Sequence, residues 1–481
     1  MAAEVNRQKE KTPIAEQDPC IRSANFDEVA LGYTLEEAIN EAKRCIHCPK
    51  TPCIDGCPVG VPITSFIAAL AEGDVARSYA IVKAKNALPA ICGRVCPQEN
   101  QCEGVCTRGR NGEPVGIGRL ERFVADWAME HPEEAASALA AELASDETID
   151  DGIDYSAFKV AMIGSGPASL TCAGELARRG VKVTVFEALH EVGGVLVYGI
   201  PEFRLPKDLV AREVAEIADN GVTFETNAVI GKLYDIDELI DERGFDAVFV
   251  GTGAGLPTYL GIEGEALNGV SVANELLTRV NLMKAFKFPE YATPVYAGKH
   301  CVVVGGGNVA MDAARTAKRL GADVTIVYRR SFEEMPAREE EIHHAQEEGI
   351  KFSLLTNPVR AIGDDAGWIT QLECVSMELG EPDASGRRRP QEIPGSNFTM
   401  ECDMFIIAVG SKTNPLIGQT TDGLDTTARG LIVTDEETGV TSRPNIFAGG
   451  DVATGAATVI LAMGAGKKAA AGIVSYLKTL A

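Results

Sequence analysis

Eight of the 13 cysteines in this 481-residue chain are concentrated in two short blocks. With x for any residue, the spacing is C-x2-C-x4-C-x3-C-P from Cys45 to Pro58 and C-x3-C-P-x4-C-x3-C from Cys92 to Cys106. Close-set cysteines followed by proline favour iron–sulfur clusters, whereas zinc has no redox chemistry. Eight thiols can form two four-cysteine sites, and the spacing leaves open whether the ligands divide by block or crosswise.

A glycine-rich turn between two apolar strands lies in KVAMIGSGPASLTCAGELARRGVKVTVFE, which spans 159–187. Gly164 allows the tight turn, and Gly166 lets the backbone approach a pyrophosphate at the helix N-terminus. Glu187 ends the second strand, where an acidic residue binds ribose hydroxyls. The third glycine of the pattern is replaced by Ser169, which is small enough to keep the helix close to the strand. This stretch therefore predicts an adenine-dinucleotide site.

The same pattern returns in CVVVGGGNVAMDAARTAKRLGADVTIVYRR, which spans 301–330, with Ala310 at the third glycine position. Its second strand ends in Arg329 and Arg330 instead of an acid. A 2′-hydroxyl favours a carboxylate partner, while a 2′-phosphate needs cationic donors. We therefore expect FAD at the first site and NADP(H) at the second, although a loop carboxylate such as Glu333 would weaken the preference for NADPH over NADH.

No acid–base catalyst is needed, because hydride transfer between nicotinamide and flavin depends on proximity. His343 and His344 are accordingly expected on a helix surface. A disulfide reductase of the thioredoxin-reductase type would need a C-x-x-C pair in the nucleotide domains. The cysteines there are isolated and are predicted to be core residues: Cys172, Cys301, Cys374 and Cys402.

The predicted fold is α/β, with two nested Rossmann-like nucleotide-binding domains preceded by an α-helical iron–sulfur domain. The nesting follows from NIFAGGD at 445–451, which predicts a late strand returning to the first nucleotide domain. We expect a two-cluster domain at 1–135, a linker that is partly helical at 136–156, an FAD domain in two parts at 157–290 and 403–481, and an inserted NADP(H) domain at 291–402.

Local patterns place several elements. Residues 1–33 show little periodicity and suggest an arm, and Thr34 with Glu37 forms a capping box for the helix that leads into the cysteines. The remaining predicted helices cover 63–71, 74–85, 117–130, 207–219 and 458–480.

The net charge of −24 argues against nucleic acid or an anionic membrane as partner. No apolar run reaches the roughly 18 residues that a membrane span requires. The N-terminus lacks an apolar signal core, so a cytoplasmic protein with reduced thiols is expected.

The cysteine array, GSGPASL, GIPEFRLPK, GGGNVAMDAART and AGGDVATGAATVILAMGAGKKAA resemble the glutamate synthase small-subunit family across nearly the whole chain. That family includes the amino-terminal half of dihydropyrimidine dehydrogenase. The opening QDPCIRSANFDEVALGYTLEEAINEAKRCIHC is most similar to another branch, the large subunit of the bifurcating NADH-dependent ferredoxin:NADP oxidoreductase, often labelled homotetrameric glutamate synthase or sulfide dehydrogenase.

The resemblance implies crosswise use of the cysteines and a non-cysteine ligand. Cys92 matches a family cysteine that is not a ligand, and Glu121 matches an oxygen donor. The implied ligands of the first 4Fe–4S cluster are Cys45, Cys48, Cys53 and Cys106, and those of the second are Cys57, Cys96, Cys102 and Glu121.

The resemblance also extends the two nucleotide sites. The predicted FAD-binding residues are Gly164, Gly166, Pro167, Ala168, Glu187, Gly193, Gly194, Leu196, Arg204, Gly253, Gly450, Asp451 and Thr458. The predicted NADP-binding residues are Gly306, Gly307, Asn308, Val309, Arg329, Arg330 and Gly410, with Arg338 as a further candidate.

These features predict an electron-transfer subunit that moves electrons between NADP(H), FAD and two 4Fe–4S clusters, to or from ferredoxin or a second subunit with flavin and 2Fe–2S centres. In the bifurcating branch, the two electrons would leave by different paths. One alternative is a glutamate synthase small subunit feeding a large catalytic subunit, since this chain has no room for a glutaminase domain. Another is a cofactor-carrying subunit of a larger hydrogenase or dehydrogenase complex.

Overall fold

The computed structural model describes residues 5–144, 152–382 and 388–481. Its amino-terminal part is helical, and the expected capping box between Thr34 and Glu37 is present at the start of α2. The elements are β1 (Ala15–Glu16), α1 (Pro19–Arg22), β2 (Ala30–Gly32), α2 (Leu35–Ala42), α3 (Pro52–Asp55), α4 (Ile63–Ala71), α5 (Val75–Lys83), α6 (Pro89–Val95), α7 (Ile117–Glu130) and α8 (Pro132–Ala144).

The arm and the linker differ from expectation. The arm contains the antiparallel pair β1–β2 and a fully buried side chain, Arg22, so it packs against the rest of the chain. Helix α8 runs through most of the amino-terminal half of the expected linker, and residues 145–151 lie outside the described residues.

The first nucleotide domain begins with a strand–turn–helix–strand unit. Its elements are β3 (Lys159–Ile163), α9 (Pro167–Ala177), β4 (Lys182–Phe186), α10 (Val195–Tyr198), α11 (Lys207–Asp219), β5 (Thr223–Glu225), α12 (Ile236–Asp241), β6 (Ala247–Val250) and β7 (Leu256–Pro257). Strands β3 and β6 are buried along their length apart from Lys159, because helices cover both faces of a parallel sheet.

The second nucleotide domain repeats the unit and adds a small antiparallel sheet. Its elements are β8 (Val270–Val272), α13 (Ala273–Asn281), β9 (His300–Val304), α14 (Asn308–Arg319), β10 (Asp323–Tyr328), α15 (Glu339–Glu347), β11 (Lys351–Leu354), β12 (Thr356–Gly363), β13 (Ile369–Pro382), β14 (Arg388–Glu392), β15 (Phe398–Glu401) and β16 (Met404–Ile407). The parallel sheet has the order β11-β10-β9-β16-β8. It therefore extends beyond the expected range 291–402, because β8 and β16 pair with each other inside it.

The chain then returns to the first sheet. The last elements are β17 (Ser411–Lys412), α16 (Leu416–Thr420), β18 (Ile446–Ala448), α17 (Asp451–Thr454) and α18 (Val459–Leu477). Strand β18 pairs with β6 and completes the parallel order β18-β6-β3-β4-β5. Short 3₁₀ helices occur at Gln98–Asn100, Thr107–Arg110, Tyr155–Ala157, Ala285–Lys287 and Phe332–Glu334.

One apolar core joins the iron–sulfur domain to the FAD domain. It contains side chains of α4, α5, α6 and α7 together with side chains of α9, α11 and α18. The α14 side of the second sheet has a separate core, formed mainly by α13, α14, β9 and β10. Among the described helices, none combines the length and the apolar character that crossing a membrane would require.

Candidate active site

Four cysteines from both sequence blocks surround one small pocket: Cys45, Cys48, Cys53 and Cys106. Cys45 follows the end of α2, and Cys53 lies in the short helix α3. Burial raises the pKa of the Cys45 and Cys53 thiols to about 11 in each case. Neighbouring thiolates repel one another here, so a cationic metal cluster is the kind of group that would stabilise all four in the deprotonated form.

The other predicted ligands form a second group deeper in the domain. Burial, with the Glu103 and Glu121 carboxylates and Cys57 close by, raises the pKa of Cys102. A hydrogen bond with Cys92 and burial, with Glu121 and Cys102 nearby, raise the pKa of Cys96. Burial raises the pKa of Glu121 itself to about 7. The thiols of Cys57, Cys96 and Cys102 and the Glu121 carboxyl of α7 thus lie close enough to affect one another, and the Cys92 thiol lies beside the same group.

In the part of the chain that the structure describes, the cysteines do not form a set as compact as a zinc site. In a tetrahedral zinc site with bonds of ~2.3 Å, the sulfurs would lie about 3.8 Å apart. Among the described residues, no three cysteines have sulfur atoms that are all within 4.8 Å of one another. The donor chemistry, with thiols from two close-set cysteine blocks and one carboxyl, is of the kind that holds 4Fe–4S clusters.

The first glycine-rich turn is held by the acid at the end of β4. Glu187 Oε2 accepts hydrogen bonds from the Ser165 amide (2.9 Å) and hydroxyl (2.5 Å), and Oε1 accepts one from the Leu189 amide (2.8 Å). Gly164 has a φ of +89°, and a Cβ there would lie 2.8 Å from the Gly251 carbonyl oxygen. Gly166 is the N-cap of α9 and has no side chain to cap it, so the helix N-terminus fits a pyrophosphate.

Two other loops reach the same helix end. A Cβ at Gly194 would lie 3.0 Å from the Gly166 Cα, and one at Gly450 would lie 3.0 Å from the Ala168 Cβ. The Gly193 amide donates to the Ser165 hydroxyl at 2.9 Å. The structure thus brings most of the predicted FAD-binding glycines together around the start of α9. Side chains in place of these glycines would fill the space that they leave there.

The remaining predicted FAD residues have other local roles as well. Burial raises the pKa of Asp451, and Asp451 Oδ1 accepts from the Ala457 amide at 3.2 Å. Thr458 caps α18, and the Leu196 side chain is fully buried. Pro167 occupies the first turn of α9, and Gly253 has a φ of +68°.

Arg204 lies at the boundary between the two nucleotide domains. Its guanidinium forms ion pairs with Asp312 of α14 at 2.7 Å and with Glu341 of α15 at 2.8 Å. The Arg204 side chain is buried at this boundary. Its ion-pair partners in this structure are carboxylates of the second domain.

The second turn is built differently from the first. A Cβ at Gly306 would lie 2.6 Å from the Tyr328 ring, so the ring packs directly under the turn. Gly307 is the N-cap of α14, and nothing lies within 4 Å of a Cβ built there. This open N-terminus leaves room for a phosphate.

The cationic strand end is accessible. Arg329 is exposed, and Arg330 Nε donates to the Arg388 carbonyl oxygen at 3.1 Å. Val309 is also exposed, and Asn308 Oδ1 accepts from the Arg338 amide at 2.9 Å. The other predicted residue, Gly410, has a φ of +102° after β16.

Arg338 reaches away from the turn towards the iron–sulfur domain. Its guanidinium donates to the Arg94 carbonyl oxygen and to Gln98 Oε1, both at 3.1 Å. It lines an interdomain cavity of about 410 Å³ between the arm, the iron–sulfur domain and α15.

One prediction about histidines was wrong. His343 is exposed, as expected. His344 is buried under the folded arm, where its Nε2 lies 3.1 Å from Glu16 Oε2. The four isolated cysteines in the nucleotide domains are buried, as predicted.

Sequence reasoning also missed two side chains. Ser165 links Glu187 to Gly193, and its only sequence signal is its position between two motif glycines. Asn86 donates to Glu121 Oε1 at 2.7 Å, and only its place three residues before Pro89 indicated a turn.

Two known protein families match separate parts of the chain. Residues 22–133 match the family described as dihydropyrimidine dehydrogenase domain II, 4Fe-4S cluster. Residues 158–466 match the family described as pyridine nucleotide-disulphide oxidoreductase. The predicted α/β fold with a preceding iron–sulfur domain is therefore confirmed.

The matches cover different shares of the length of each relative. The glutamate synthase (NADPH) small chain of Halomonas elongata is 35% identical over 487 residues, covering 99% of this chain and all of that one. The NADP(+)-dependent formate dehydrogenase subunit beta of Moorella thermoacetica is 39% identical over 442 residues, and the match covers 89% of this chain but 60% of that protein. The structure of Mycobacterium tuberculosis FprA in complex with NADPH shares the fold, with a TM-score of 0.56 and 20% identity over 67% of this chain and 85% of that one.

One family match covers more than half of the chain, and a relative that matches over its full length is 35% identical. The chain belongs to the glutamate synthase small-chain family, and it is an oxidoreductase in which a 4Fe–4S domain precedes the FAD and NADP(H) domains.

Proposed function

We propose that this chain is the NADP(H)-linked electron-transfer subunit of a larger oxidoreductase, joined to its partner through FAD and two 4Fe–4S clusters. The observation that carries the proposal is a contact of 3.5 Å between Cys92 Sγ and Met463 Sδ. Cys92 lies beside the second ligand group, and Met463 belongs to α18 of the FAD domain. The two redox regions therefore share a buried face.

In the FAD site, Gly164 permits the turn and Gly166 leaves space for the pyrophosphate. Glu187 would accept hydrogen bonds from the ribose while it holds the turn through Ser165. Bound FAD would exchange an electron pair with nicotinamide and single electrons with the clusters. The further proposed FAD contacts lie around the start of α9, in α10, α17 and α18, after β6, and at Arg204 on the domain boundary. They are Pro167, Ala168, Gly193, Gly194, Leu196, Arg204, Gly253, Gly450, Asp451 and Thr458.

In the NADP(H) site, the open N-terminus of α14 binds the pyrophosphate and the cationic end of β10 binds the 2′-phosphate. Arg329 is free to turn towards a ligand because it is exposed. The proposed contacts are Gly306, Gly307, Asn308, Val309, Arg329, Arg330 and Gly410.

In the iron–sulfur domain, the two donor groups are proposed as ligands of separate clusters. The thiols of Cys45, Cys48, Cys53 and Cys106 would hold the first, and those of Cys57, Cys96 and Cys102, with the Glu121 carboxylate, the second. The second group lies nearer the FAD domain, as the contact of Cys92 with Met463 indicates. Electrons would thus pass from the flavin side to the second cluster and then to the first.

A partner subunit is supported by the names of the relatives, which are a small chain and a beta subunit. We favour a cytoplasmic complex with a flavin and 2Fe–2S subunit or ferredoxin, in which electron bifurcation is one mode of operation. The full-length match to a glutamate synthase small chain supports a second candidate, a unit that feeds a large glutamate synthase subunit.

An anaerobic titration with NADPH tests the proposal. The flavin absorbance should bleach, and electron paramagnetic resonance (EPR) after further reduction with dithionite should show two 4Fe–4S signals. Arg329→Ala should raise the KM for NADPH about tenfold, because a charge-assisted contact is lost, and leave the KM for NADH unchanged. Arg360→Ala, an exposed arginine paired with Glu373, is the matched control.

Purification of the native complex identifies the partner. A small flavin and 2Fe–2S subunit would support bifurcation, and a large amidotransferase chain would support glutamate synthesis. Glutamine-dependent NADPH oxidation by the isolated chain would contradict a role restricted to electron transfer.

A further inference from the structure

Asn86 is a buried amide between α5 and α6 that contacts the second ligand group without belonging to it. Its Nδ2 donates to Glu121 Oε1 at 2.7 Å. Its Oδ1 accepts from the Leu88 amide at 3.0 Å and lies 3.7 Å from Cys92 Sγ. These contacts engage both ends of the amide, one donor and the oxygen, and so fix the side chain in this position.

The orientation of the amide follows from the backbone. The Leu88 amide can only donate, so the oxygen of the Asn86 side chain must face it in an Asx turn. The Nδ2 group is then directed at Glu121, and a flipped amide would place two donors together at Leu88 and two acceptors together at Glu121. The local chain therefore fixes a hydrogen-bond donor against one oxygen of the carboxyl.

Glu121 needs such a partner. It lies on α7 near Cys57, Cys96 and Cys102, which repel the Glu121 carboxylate when their thiols are ionised. A carboxylate surrounded by thiolates turns away unless another group holds it in place. Groups behind a metal ligand commonly fix its orientation and tune the metal in this way.

We propose that Asn86 is a positioning residue that holds the Glu121 carboxylate as the oxygen ligand of the second cluster and raises the reduction potential of that cluster. The inference rests on the proposed function, since it takes Glu121 as a ligand. The donated hydrogen bond withdraws electron density from the carboxylate, which then donates less to iron. Weaker donation favours the reduced cluster, in line with the general effect of hydrogen bonds on cluster potentials.

The test uses Asn86→Ser in the full chain with its cofactors. Serine still accepts from the Leu88 amide in the same type of turn, but its side chain is too short to reach Glu121. An EPR-monitored redox titration should show a lower midpoint potential for the second cluster and an unchanged one for the first. Ser78→Ala is the matched control, because Ser78 is a buried polar residue of α5 that bonds the Phe66 carbonyl instead.

A double variant separates positioning from a general structural effect. In a Glu121→Cys background, the ligand that Asn86 holds is absent, so adding Asn86→Ser should shift the potential much less than it does alone. Equal shifts in both backgrounds would overturn the inference, as would an unchanged potential in the single variant.

The iron content and the EPR signal intensity of each variant should be measured, because a variant that fails to fold loses both. Asn86→Asp keeps the turn and the size of the side chain but sets two carboxyl groups against each other, so it should lose the second signal and retain the first. If Asn86→Asp keeps an unaltered EPR signal of the second cluster, the inference about Asn86 is contradicted and the proposed function is not. A wild-type protein without a second 4Fe–4S signal would instead contradict the proposed function as well.

Discussion

The FAD domain and the NADP(H) domain are attached to the rest of the chain in different ways. The FAD domain shares a continuous apolar core with the iron–sulfur domain, which includes Leu88, Ile91 and Met463. The NADP(H) domain meets the arm and the iron–sulfur domain through many charged side chains around a cavity of about 410 Å³, together with an apolar contact of Phe26. An apolar interface fixes distances between cofactors, whereas polar interfaces within a chain are typical of domains that move.

The charged contacts form one network from the arm to the flavin side. Arg22 of the arm pairs with Glu348, which also accepts hydrogen bonds from Arg315 and Arg319. Both arginines of α14 lie over the Phe203 ring, with centroid distances of 4.8 and 3.7 Å. The contrast fits a flavin at a fixed distance from the clusters and a nucleotide that must enter and leave.

Removal of the buried carboxylate at the centre of this network should have the largest effect. Glu348→Gln leaves three guanidinium groups facing a neutral side chain, and we expect a loss of ~3–5 kcal/mol in the stability of the NADP(H) domain. Hydrogen exchange should show the loss in α14 and β10 and little change in α9 and α18. Glu339→Gln, at an exposed position of α15, is the control and should change stability by less than ~0.5 kcal/mol. A uniform loss across both domains would refute the distinction between the two interfaces.

Acid should weaken the charged interface of the NADP(H) domain. Burial alone would raise the pKa of Glu348, but hydrogen bonds from Arg319 and Arg315 lower it from 4.5 to about 2. The ionised form is thus favoured in the folded state, and its contribution is complete above pH 4.5 and lost as the pH falls towards 2. Unfolding of the NADP(H) domain followed against pH should show this loss in the wild type, and a flatter profile in Glu348→Gln.

The elements of both nucleotide domains were largely predictable because their determinants are local. Apolar strands, the glycines at 164, 166 and 305–307, and the capping box at Thr34 depend on residues close in sequence. The crosswise grouping of the cysteines required the family resemblance, since spacing alone allowed both divisions. The structure brings the donors together in that crosswise arrangement.

The charged interface could not be predicted, because its contacts join residues far apart in the sequence. Arg22 and Glu348 are separated by 326 positions. Neither residue has a local pattern. A similar separation, of 328 positions, explains the error at His344, whose partner is Glu16. The donor that orients Glu121 was also hidden, since a single asparagine before a proline indicates only a turn.

A substitution in the apolar interface should have an intermediate effect on the other domain. A Cβ at Gly464 of α18 would lie 2.9 Å from the Pro58 carbonyl oxygen, next to the predicted ligand Cys57. Gly464→Ala should therefore cost ~1–3 kcal/mol through overpacking and broaden the EPR signal of the second cluster. Gly174→Ala in α9 is the matched control, because nothing lies within 4 Å of a Cβ there. Equal effects of the two alanines would show that α18 does not hold the clusters in place.

The smallest effect should come from Phe203, an aromatic ring that packs against the charged interface. Phe203→Leu keeps apolar bulk but removes the ring face under Arg315 and Arg319, so it should weaken the NADP(H) domain by ~0.5–2 kcal/mol. Phe186→Leu, at a buried ring inside the FAD sheet, should leave hydrogen exchange in α14 unchanged. Combining Phe203→Leu with Glu348→Gln should give less than the sum of the two losses, because both act on the same guanidinium groups. Strict additivity would mean that the ring and the carboxylate stabilise separate contacts, and the network would then have to be divided into two.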